Sequence, residues 1–266
     1  MPETSPPPAA PPLVIGATGG SGTRVVARIA RLAGYEMGTN LNPAGDGLEF
    51  LPFHEKWIDR VIELERNREP APMTSPPSGL VEDFHAVLDR HLAAAAADIR
   101  LPARRWGWKA PRSIYLLPFF HGQYPGMKFI HVLRDGRDMA FSKNQNQLTK
   151  HGRRLLSWRE RWCAPLPVRS ILLWDRVNGR AAAYGETQLR ENYIAIRFED
   201  LCQSPVETVA RILRFLDAPG DAEALARAEI SQPSTLGRWR TQPPALISRM
   251  NTAGAGALRK LGYLAP

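Results

Sequence analysis

The chain has 266 residues, of which 35 are lysine or arginine and 26 are aspartate or glutamate, so its formal net charge is +9 at pH 7. Its length is enough for one large α/β domain with a full core, and the positive surface favours anionic partners. Two cysteines exclude a disulfide framework, and no stretch approaches the ~20 apolar residues of a membrane span, so we expect a soluble cytoplasmic protein.

The first predicted element is a buried strand, Leu13 to Ile15, preceded by a proline-rich segment, residues 1–11, that we expect to be a disordered tail. The strand enters a loop with four glycines, and a helix follows whose apolar face begins at Val25. This order of elements presents backbone N–H groups and a helix N-terminus to an anion. The residues predicted to hold phosphate or sulfate oxygens are Gly19, Gly20, Ser21, Gly22, Thr23 and Arg24.

Other phosphate-binding proteins use similar loops. A P-loop nucleotide hydrolase needs a lysine after its last glycine, whereas Thr23 and Arg24 follow Gly22 here. The spacing of Gly16, Gly19 and Gly22 also suits a dinucleotide-binding oxidoreductase. The loop alone therefore leaves an NAD(P)-binding Rossmann-type enzyme as an alternative.

A dehydrogenase of that type would also need a tyrosine and a lysine on one helical face. Tyr124 and Lys128 have the required spacing, but Pro125 and Gly126 lie between them and a strand follows at once. Proline and glycine disfavour a helix at this point. The spacing therefore gives the oxidoreductase little support.

The next part of the chain is predicted to be a helical insert over about residues 50–100. A polar loop over residues 39–46 precedes a helix from Pro52 to Glu65, and a second helix spans Leu80 to Arg100. Between them, residues 66–79 contain four prolines and are predicted to be a mobile linker or lid.

Strands and helices alternate in the second half, which predicts a central parallel sheet flanked by helices in three layers. The predicted strands are residues 106–109, 128–133 and 193–198, and the predicted helices are residues 136–147, 168–190 and 206–216. A basic, aromatic surface excursion is expected over residues 150–167, and the tail from Ile230 is predicted to be rich in loops. Ser204 and Glu207 have the spacing of a capping box at the last of these helices.

Two basic residues end predicted strands, where parallel sheets place their ligands. Lys109 ends the first of these strands, and Arg134 ends the second, with Ser142 eight residues later in the predicted helix. A guanidinium fork and a hydroxyl in this arrangement suit a phosphate group.

Three segments together resemble the sulfotransferase family. They are Gly19-Gly-Ser-Gly-Thr-Arg24, the run from Ile130 to Ser142, and Ile196-Arg-Phe-Glu-Asp-Leu201 with the capped helix after it. Lesser similarities are Trp108-Lys109-x-Pro111 and Gly237-Arg238-Trp239. The resemblance covers residues 13–37, 105–147 and 193–264.

The resemblance implies a P-loop nucleotide-kinase-like α/β domain over residues 12–266 that uses 3′-phosphoadenosine 5′-phosphosulfate (PAPS) without a metal. It implies that the glycine loop binds the phosphosulfate and that Arg134, Ser142 and Arg238 hold the nucleotide. The implied reaction transfers a sulfuryl group to a hydroxyl or amine of a carbohydrate or small metabolite, with no nucleic acid as partner.

One position departs from the family's pattern. Members usually carry a lysine or arginine immediately before the Ser-Gly-Thr of the loop, where it meets the transferring group, and Gly20 stands there in this chain. The charge must come from Arg24 or Lys109, or it is absent. In the last case the chain would be a non-catalytic nucleotide-binding homologue.

The sequence leaves the catalytic base open. In the tyrosine-directed and some carbohydrate-directed members of the family that the chain resembles, the base is a glutamate shortly after the first strand and helix. That region holds Asp46 and Glu49 here, with His54 just beyond. Asp46 lies in a glycine-flanked loop, and Glu49 has the longer reach. Acceptor choice is predicted to depend on residues 40–49, 51–100 and 150–161, which the resemblance does not explain, and the positive charge favours an anionic acceptor such as an acidic glycan.

Overall fold

A computed structural model describes residues 10–93 and 105–265 of the chain. Within them, four parallel strands form one sheet in the order β2-β1-β3-β4. The strands are β1 Leu13–Gly16, β2 Gly107–Lys109, β3 Lys128–Leu133 and β4 Tyr193–Arg197. Ile15 of the central strand is in register with Lys109 on one side and Ile130 on the other. The sequence therefore predicted all four strands and their parallel arrangement correctly.

Helices connect and cover these strands, and their bounds in the described residues follow in chain order: α1 Thr23–Leu32, α2 Phe50–Glu65, α3 Leu80–Leu92, α4 Leu117–Gln123, α5 Gly136–Ala140, α6 Asn146–Leu155, α7 Trp158–Cys163, α8 Leu166–Tyr184, α9 Phe198–Gln203, α10 Pro205–Phe215, α11 Ala222–Glu229, α12 Pro244–Ala253 and α13 Ala255–Lys260. Tight helical turns add Pro111–Leu116 and Arg238–Thr241.

The sheet has a helical layer on each face because successive residues of a strand point to opposite sides. Leu13 and Ile15 of β1 pack in one core with residues of α1 and α10. Val14, between them, packs in the other core with residues of α2, α3 and α8. This arrangement confirms the predicted three-layer α/β domain.

The predicted helix over residues 136–147 was wrong, since α5 ends at Ala140 and α6 begins at Asn146. Side chains in the intervening turn bond to nearby backbone groups: the Ser142 hydroxyl accepts the Asn144 N–H at 3.2 Å. The Gln145 amide donates to the Ser142 carbonyl at 2.8 Å. Such local bonds compete with helix formation, and Ser142 therefore lies outside a helix.

The predictions of a loop-rich tail and of a surface excursion were also only partly correct. The region after Ile230 contains α12 and α13, and residues 150–167 contain most of α6 and all of α7. α6 packs against the rest of the domain on one side, because its His151 is buried and bonds the Asp59 carboxylate of α2 at 2.7 Å.

Three further expectations concern chain segments around the core. The predicted lid is packed rather than loose, since Met73 is buried and its N–H donates to the Pro118 carbonyl at 2.8 Å. Of the predicted tail, residues 1–9 lie outside the described residues, whereas the Ala10 carbonyl accepts the Trp106 indole N–H at 2.6 Å. The helix predicted to reach residue 100 is described only as far as residue 93.

Candidate active site

The glycine loop joins the C-terminal end of β1 to the start of α1. Gly20 and Gly22 have φ angles of 82° and 85°, a left-handed conformation that favours glycine. The Ser21 hydroxyl donates to the Thr18 carbonyl at 2.6 Å and so closes the turn. In the described structure no side chain caps the first turn of α1. The Val25 N–H donates to the Gly22 carbonyl at 3.2 Å, so the N–H groups before Val25 are the ones available to an anion.

Gly22 is required for packing as well as for its φ angle. A Cβ atom at this position would overlap the ring of Phe198, the first residue of α9. The guanidinium of Arg134 lies over the same ring, with its Cζ 5.5 Å from the centroid. Phe198 therefore brings the glycine loop and the end of β3 together at one edge of the sheet.

Lys109 and Asp46 form a buried ion pair at the end of β2. The Lys109 side chain is 2% exposed, and its Nζ donates to the Ala44 carbonyl at 2.8 Å and to the Asp46 carboxylate. Burial lowers the pKa of Lys109, while Asp46 opposes that shift. Asn42 donates to the second Asp46 oxygen at 2.9 Å, which holds the carboxylate in place. The structure thus brings together two of the predicted catalytic residues.

Arg24 is exposed to solvent. It is nevertheless close enough for its charge to lower the pKa of Lys109. Gly20, where the family usually has a cation, faces the side chain of Met139 instead. Of the two cations predicted to replace the missing charge, Lys109 is the one held in a fixed, buried position.

Glu49 and His54 occupy different surroundings from Asp46. Glu49 is buried, and its Oε2 lies 3.6 Å from Nδ1 of His91. The other ring nitrogen of His91 is 3.0 Å from the Gly107 carbonyl. His54 is fully buried, and burial holds its pKa well below the usual value. The described contacts join neither Glu49 nor His54 to Lys109.

Arg134 is the best defined cation at the end of β3. It is 6% exposed, and its Nη2 donates to the carbonyl and hydroxyl of Thr235 at 2.7 and 3.1 Å. Asp138 lies 3.5 Å from the same nitrogen, but this carboxylate also accepts the backbone N–H groups of Gly237 and Trp239. The buried Nε of Arg134 has no hydrogen-bond partner among the described residues.

Arg238 converges on Arg134 from the C-terminal part of the chain. Its Nε donates to the Thr235 carbonyl at 3.2 Å, the atom that Arg134 also contacts. Burial and the charge of Arg134 both lower the pKa of Arg238, and Asp138 only partly opposes them. The two predicted nucleotide-binding arginines therefore meet, and Ser142 lies in the turn beyond α5.

A family model described as the sulfotransferase family matches residues 12–222. The chain belongs to the sulfotransferase family. No curated protein sequence matches the chain.

Solved sulfotransferase structures share this fold at low sequence identity. The sulfotransferase domain of the Synechococcus PCC 7002 olefin synthase is similar with a TM-score of 0.53 and 17% identity, over 100% of this chain and 98% of that one. A sulfotransferase from Alicyclobacillus acidocaldarius is similar with a TM-score of 0.52 and 17% identity, over 96% of this chain and 95% of that one. The sulfotransferase domain from the curacin biosynthetic pathway is similar with a TM-score of 0.52 and 16% identity, over 97% of this chain and 99% of that one. These likenesses confirm the predicted fold.

The candidate site includes residues that the sequence did not single out. Arg112 follows Lys109 by three residues, and its buried Nη1 has no partner in the described part of the chain. Burial lowers its pKa, and the charge of Glu55, whose Oε1 lies 3.6 Å from Nη2 of Arg112, opposes that shift, with a smaller contribution from Asp46. The signal was present, because Arg112 stands directly after the Lys-x-Pro segment that resembles the family.

Phe198 and Thr235 were also missed, for a different reason. Phe198 contacts both the glycine loop and Arg134, and Thr235 joins Arg134 to Arg238. Both depend on contacts between segments far apart in sequence. Phe198 lies within the segment from Ile196 to Leu201 that resembles the family, but local spacing does not reveal these contacts.

In the part of the chain that the structure describes, no group of three or more histidine, cysteine or carboxylate residues could hold a metal ion.

Tyr124 and Lys128, the pair that an oxidoreductase would need on one helix, are not on one helix. Tyr124 directly follows α4, and Lys128 bonds the Phe215 carbonyl and Asp217. The sequence had predicted this separation.

No described helix is long and apolar enough to cross a membrane.

Proposed function

We propose that this chain transfers a sulfuryl group from PAPS to a hydroxyl or amine acceptor. The observation that carries the proposal is the meeting of Arg134 and Arg238 beside the glycine loop, with a buried Arg134 Nε left unpaired. A buried donor without a partner costs free energy comparable to a lost hydrogen bond, so it marks a place for a ligand.

The charges where Arg134 and Arg238 meet suit a phosphate. Two guanidinium groups share one nearby carboxylate, Asp138, which is already bonded by two backbone N–H groups. The remaining positive charge can be neutralised by a dianionic group, which arginine binds through paired hydrogen bonds. Arg134 and Arg238 would hold the ribose phosphate of the nucleotide, and the N–H groups from Gly19 to Thr23 would hold its phosphosulfate end.

When bound, PAPS supplies a sulfuryl group on a good leaving group. The acceptor oxygen or nitrogen would form a bond to sulfur as the bond from sulfur to the nucleotide's phosphate oxygen breaks, and the acceptor's proton would pass to a base. Catalysis of such a displacement depends on positioning and on stabilising the charge of the sulfuryl and leaving oxygens.

Lys109 and Arg112 are suited to stabilise that charge. Both are held at the end of β2 and the turn after it, and both carry positive charge near Asp46. Lys109 replaces the cation that the family usually has at the position of Gly20. Its ammonium would turn from Asp46 toward the developing negative charge.

Asp46 is the proposed base. It is the carboxylate in contact with Lys109, and its side chain remains 18% exposed, so an acceptor can reach it. The departure of Lys109 toward the sulfuryl group frees the carboxylate to accept the proton. Glu49, by contrast, is buried against His91.

A non-catalytic homologue is the second candidate, because Gly20 lacks the usual charge and Asp46 neutralises Lys109. The test is to incubate the protein with PAPS and a panel of hydroxyl and amine acceptors and to measure adenosine 3′,5′-bisphosphate (PAP). We expect PAP formation that depends on the acceptor. Tight PAP binding with no turnover on any acceptor would favour the non-catalytic homologue, and absence of PAP binding would refute both.

A further inference from the structure

A cavity of about 580 Å³ lies on the same face of the sheet as α2, α6 and α8, outside the nucleotide site. Its size is that of a small-molecule pocket. Its floor is largely apolar and includes Ile62, Ile114, Leu155, Val177 and Ala181. The glycine loop, Arg134 and Arg238 do not line it.

A hydrogen bond links one wall of the cavity to a recess beside the glycine loop. Tyr115 lines the cavity, and its hydroxyl donates to the Gln147 side chain at 2.9 Å. Gln147 lines a small recess beside Thr18 and Gly19, and its amide donates to the Ala17 carbonyl at 3.4 Å. The hydrogen bond between Tyr115 and Gln147 therefore links the lining of the cavity to the lining of the recess. An acceptor hydroxyl that replaced this hydrogen bond would face the loop.

The other end of the cavity is positively charged. The charged residues of the lining are Arg66, Arg154, Arg176, Arg180 and Glu65. The carboxylates that pair with Arg154 and Arg176 belong to Asp59, Glu63 and Glu160, which are not part of the lining. The Arg180 guanidinium lies 3.3 Å from the carboxylate of Glu65. Arg66 has no acidic partner among the described residues.

The helices give the distance between these two ends. Gln147 and Arg154 are seven residues apart on α6, and Leu173, beside the small recess, and Arg180 are seven apart on α8. At about 1.5 Å per helical residue, each pair spans about 10 Å. A ligand that fills the cavity must therefore place its two polar ends about 10 Å apart or more, across an apolar body.

We propose that this cavity binds the acceptor and that the acceptor is a hydroxylated amphiphilic acid with an apolar chain between its hydroxyl and its anionic group. The inference rests on the proposed sulfuryl transfer. It replaces the acidic glycan expected from overall charge, because a lining with so many apolar side chains would leave the hydroxyl groups of a glycan unpaired.

The probe is 12-hydroxydodecanoate, tested by direct binding and as a sulfuryl acceptor. Ile62→Trp fills the cavity from a half-buried position, and Leu64→Trp makes the same kind of change at an exposed site on the same helix that does not line the cavity. Arg66→Gln removes the unpaired charge, and its control is Arg249→Gln, an exposed arginine on α12.

We expect Ile62→Trp to weaken probe binding at least tenfold and Arg66→Gln to weaken it about threefold, a modest loss because Arg66 is exposed. The two controls should bind like the unaltered protein, and all four variants should keep its PAP affinity. Dodecanol, which lacks the carboxylate, should not distinguish Arg66→Gln from its control.

Two results separate the failure of this inference from the failure of the proposed function. If the protein binds PAP but binds the probe weakly or independently of Ile62 and Arg66, the cavity is not an acceptor site. If the protein does not bind PAP, the proposed function fails. The probe titration then still tests the cavity by itself.

Discussion

Replacing Arg134 by glutamine tests the phosphate site because the structure separates its role in binding from its role in folding. The guanidinium is 6% exposed, and its Nε has no described partner, so a ligand gains a buried charged donor. Asp138, which faces Arg134, keeps its bonds from the N–H groups of Gly237 and Trp239 when the guanidinium is lost. The two bonds from Arg134 to Thr235 are lost, but the Thr235 carbonyl still accepts the Arg238 Nε–H, so the variant should fold.

Removing one partner of a buried, hydrogen-bonded charge pair costs about 2–5 kcal/mol, so PAP affinity should fall by about 30-fold or more. Isothermal titration calorimetry with PAP measures this loss, and thermal unfolding checks the fold. The matched control is Arg211→Gln, because this exposed arginine of α10 also donates to a carbonyl, that of Ala195 at 2.6 Å. If folded Arg134→Gln binds PAP within about threefold of the control, Arg134 does not hold the phosphate.

Two further predictions concern the charge at β2 and the buried histidine of β3. Lys109→Met should lower PAPS turnover at least tenfold and leave PAP affinity nearly unchanged, which is the pattern of a contact made in the transition state. Lys260→Met on α13 is the control. Equal losses of turnover and of PAP affinity would instead assign Lys109 to holding the nucleotide. His131 is fully buried, bonds Asn178 at 2.9 Å and has its pKa lowered to about 4 by burial. The unfolded chain therefore binds more protons between pH 6.5 and 4, so the free energy of unfolding should decrease by about 3 kcal/mol as the pH falls through that window. His131→Gln should flatten this decrease in urea titrations, although His54 shifts in the same direction, and an unchanged slope would show that His131 does not titrate there.

β1 and β3 could be predicted because each is a short apolar run that is buried on both faces. β3 reads Lys-Phe-Ile-His-Val-Leu, and all but its first residue are buried. The glycine loop could be predicted because Gly20 and Gly22 need positive φ angles, which few other residues adopt. The positions of Lys109 and Arg134 followed, since parallel strands end at one edge of a sheet.

The capping signal shows where local patterns mislead. Ser204 and Glu207 have the spacing of a capping box, but the Ser204 side chain makes no cap, although Pro205 does begin α10. The reciprocal capping bonds form at Ser157 and Glu160, which have the same spacing. Glu160 is also held by Arg176 of α8, a tertiary contact that local spacing does not reveal.

The break between α5 and α6 and the partners of Arg134 required the fold. Serine, asparagine and glutamine side chains end α5 early by bonding the nearby backbone, and these bonds outweigh helix propensity. Thr235 and Arg238 reach Arg134 across about a hundred residues of chain. Asp46 could be distinguished from Glu49 only once the structure showed which carboxylate meets Lys109.

The most direct test of the central claim is a calorimetric titration of the unaltered protein with PAP and with NADPH, each in the presence of a chelator. The Arg134 and Arg238 site predicts that PAP binds with a stoichiometry of about one, that the chelator has no effect, and that NADPH binds more weakly. Tighter binding of NADPH, or loss of PAP binding on chelation, would contradict a metal-free site for a 3′-phosphorylated nucleotide.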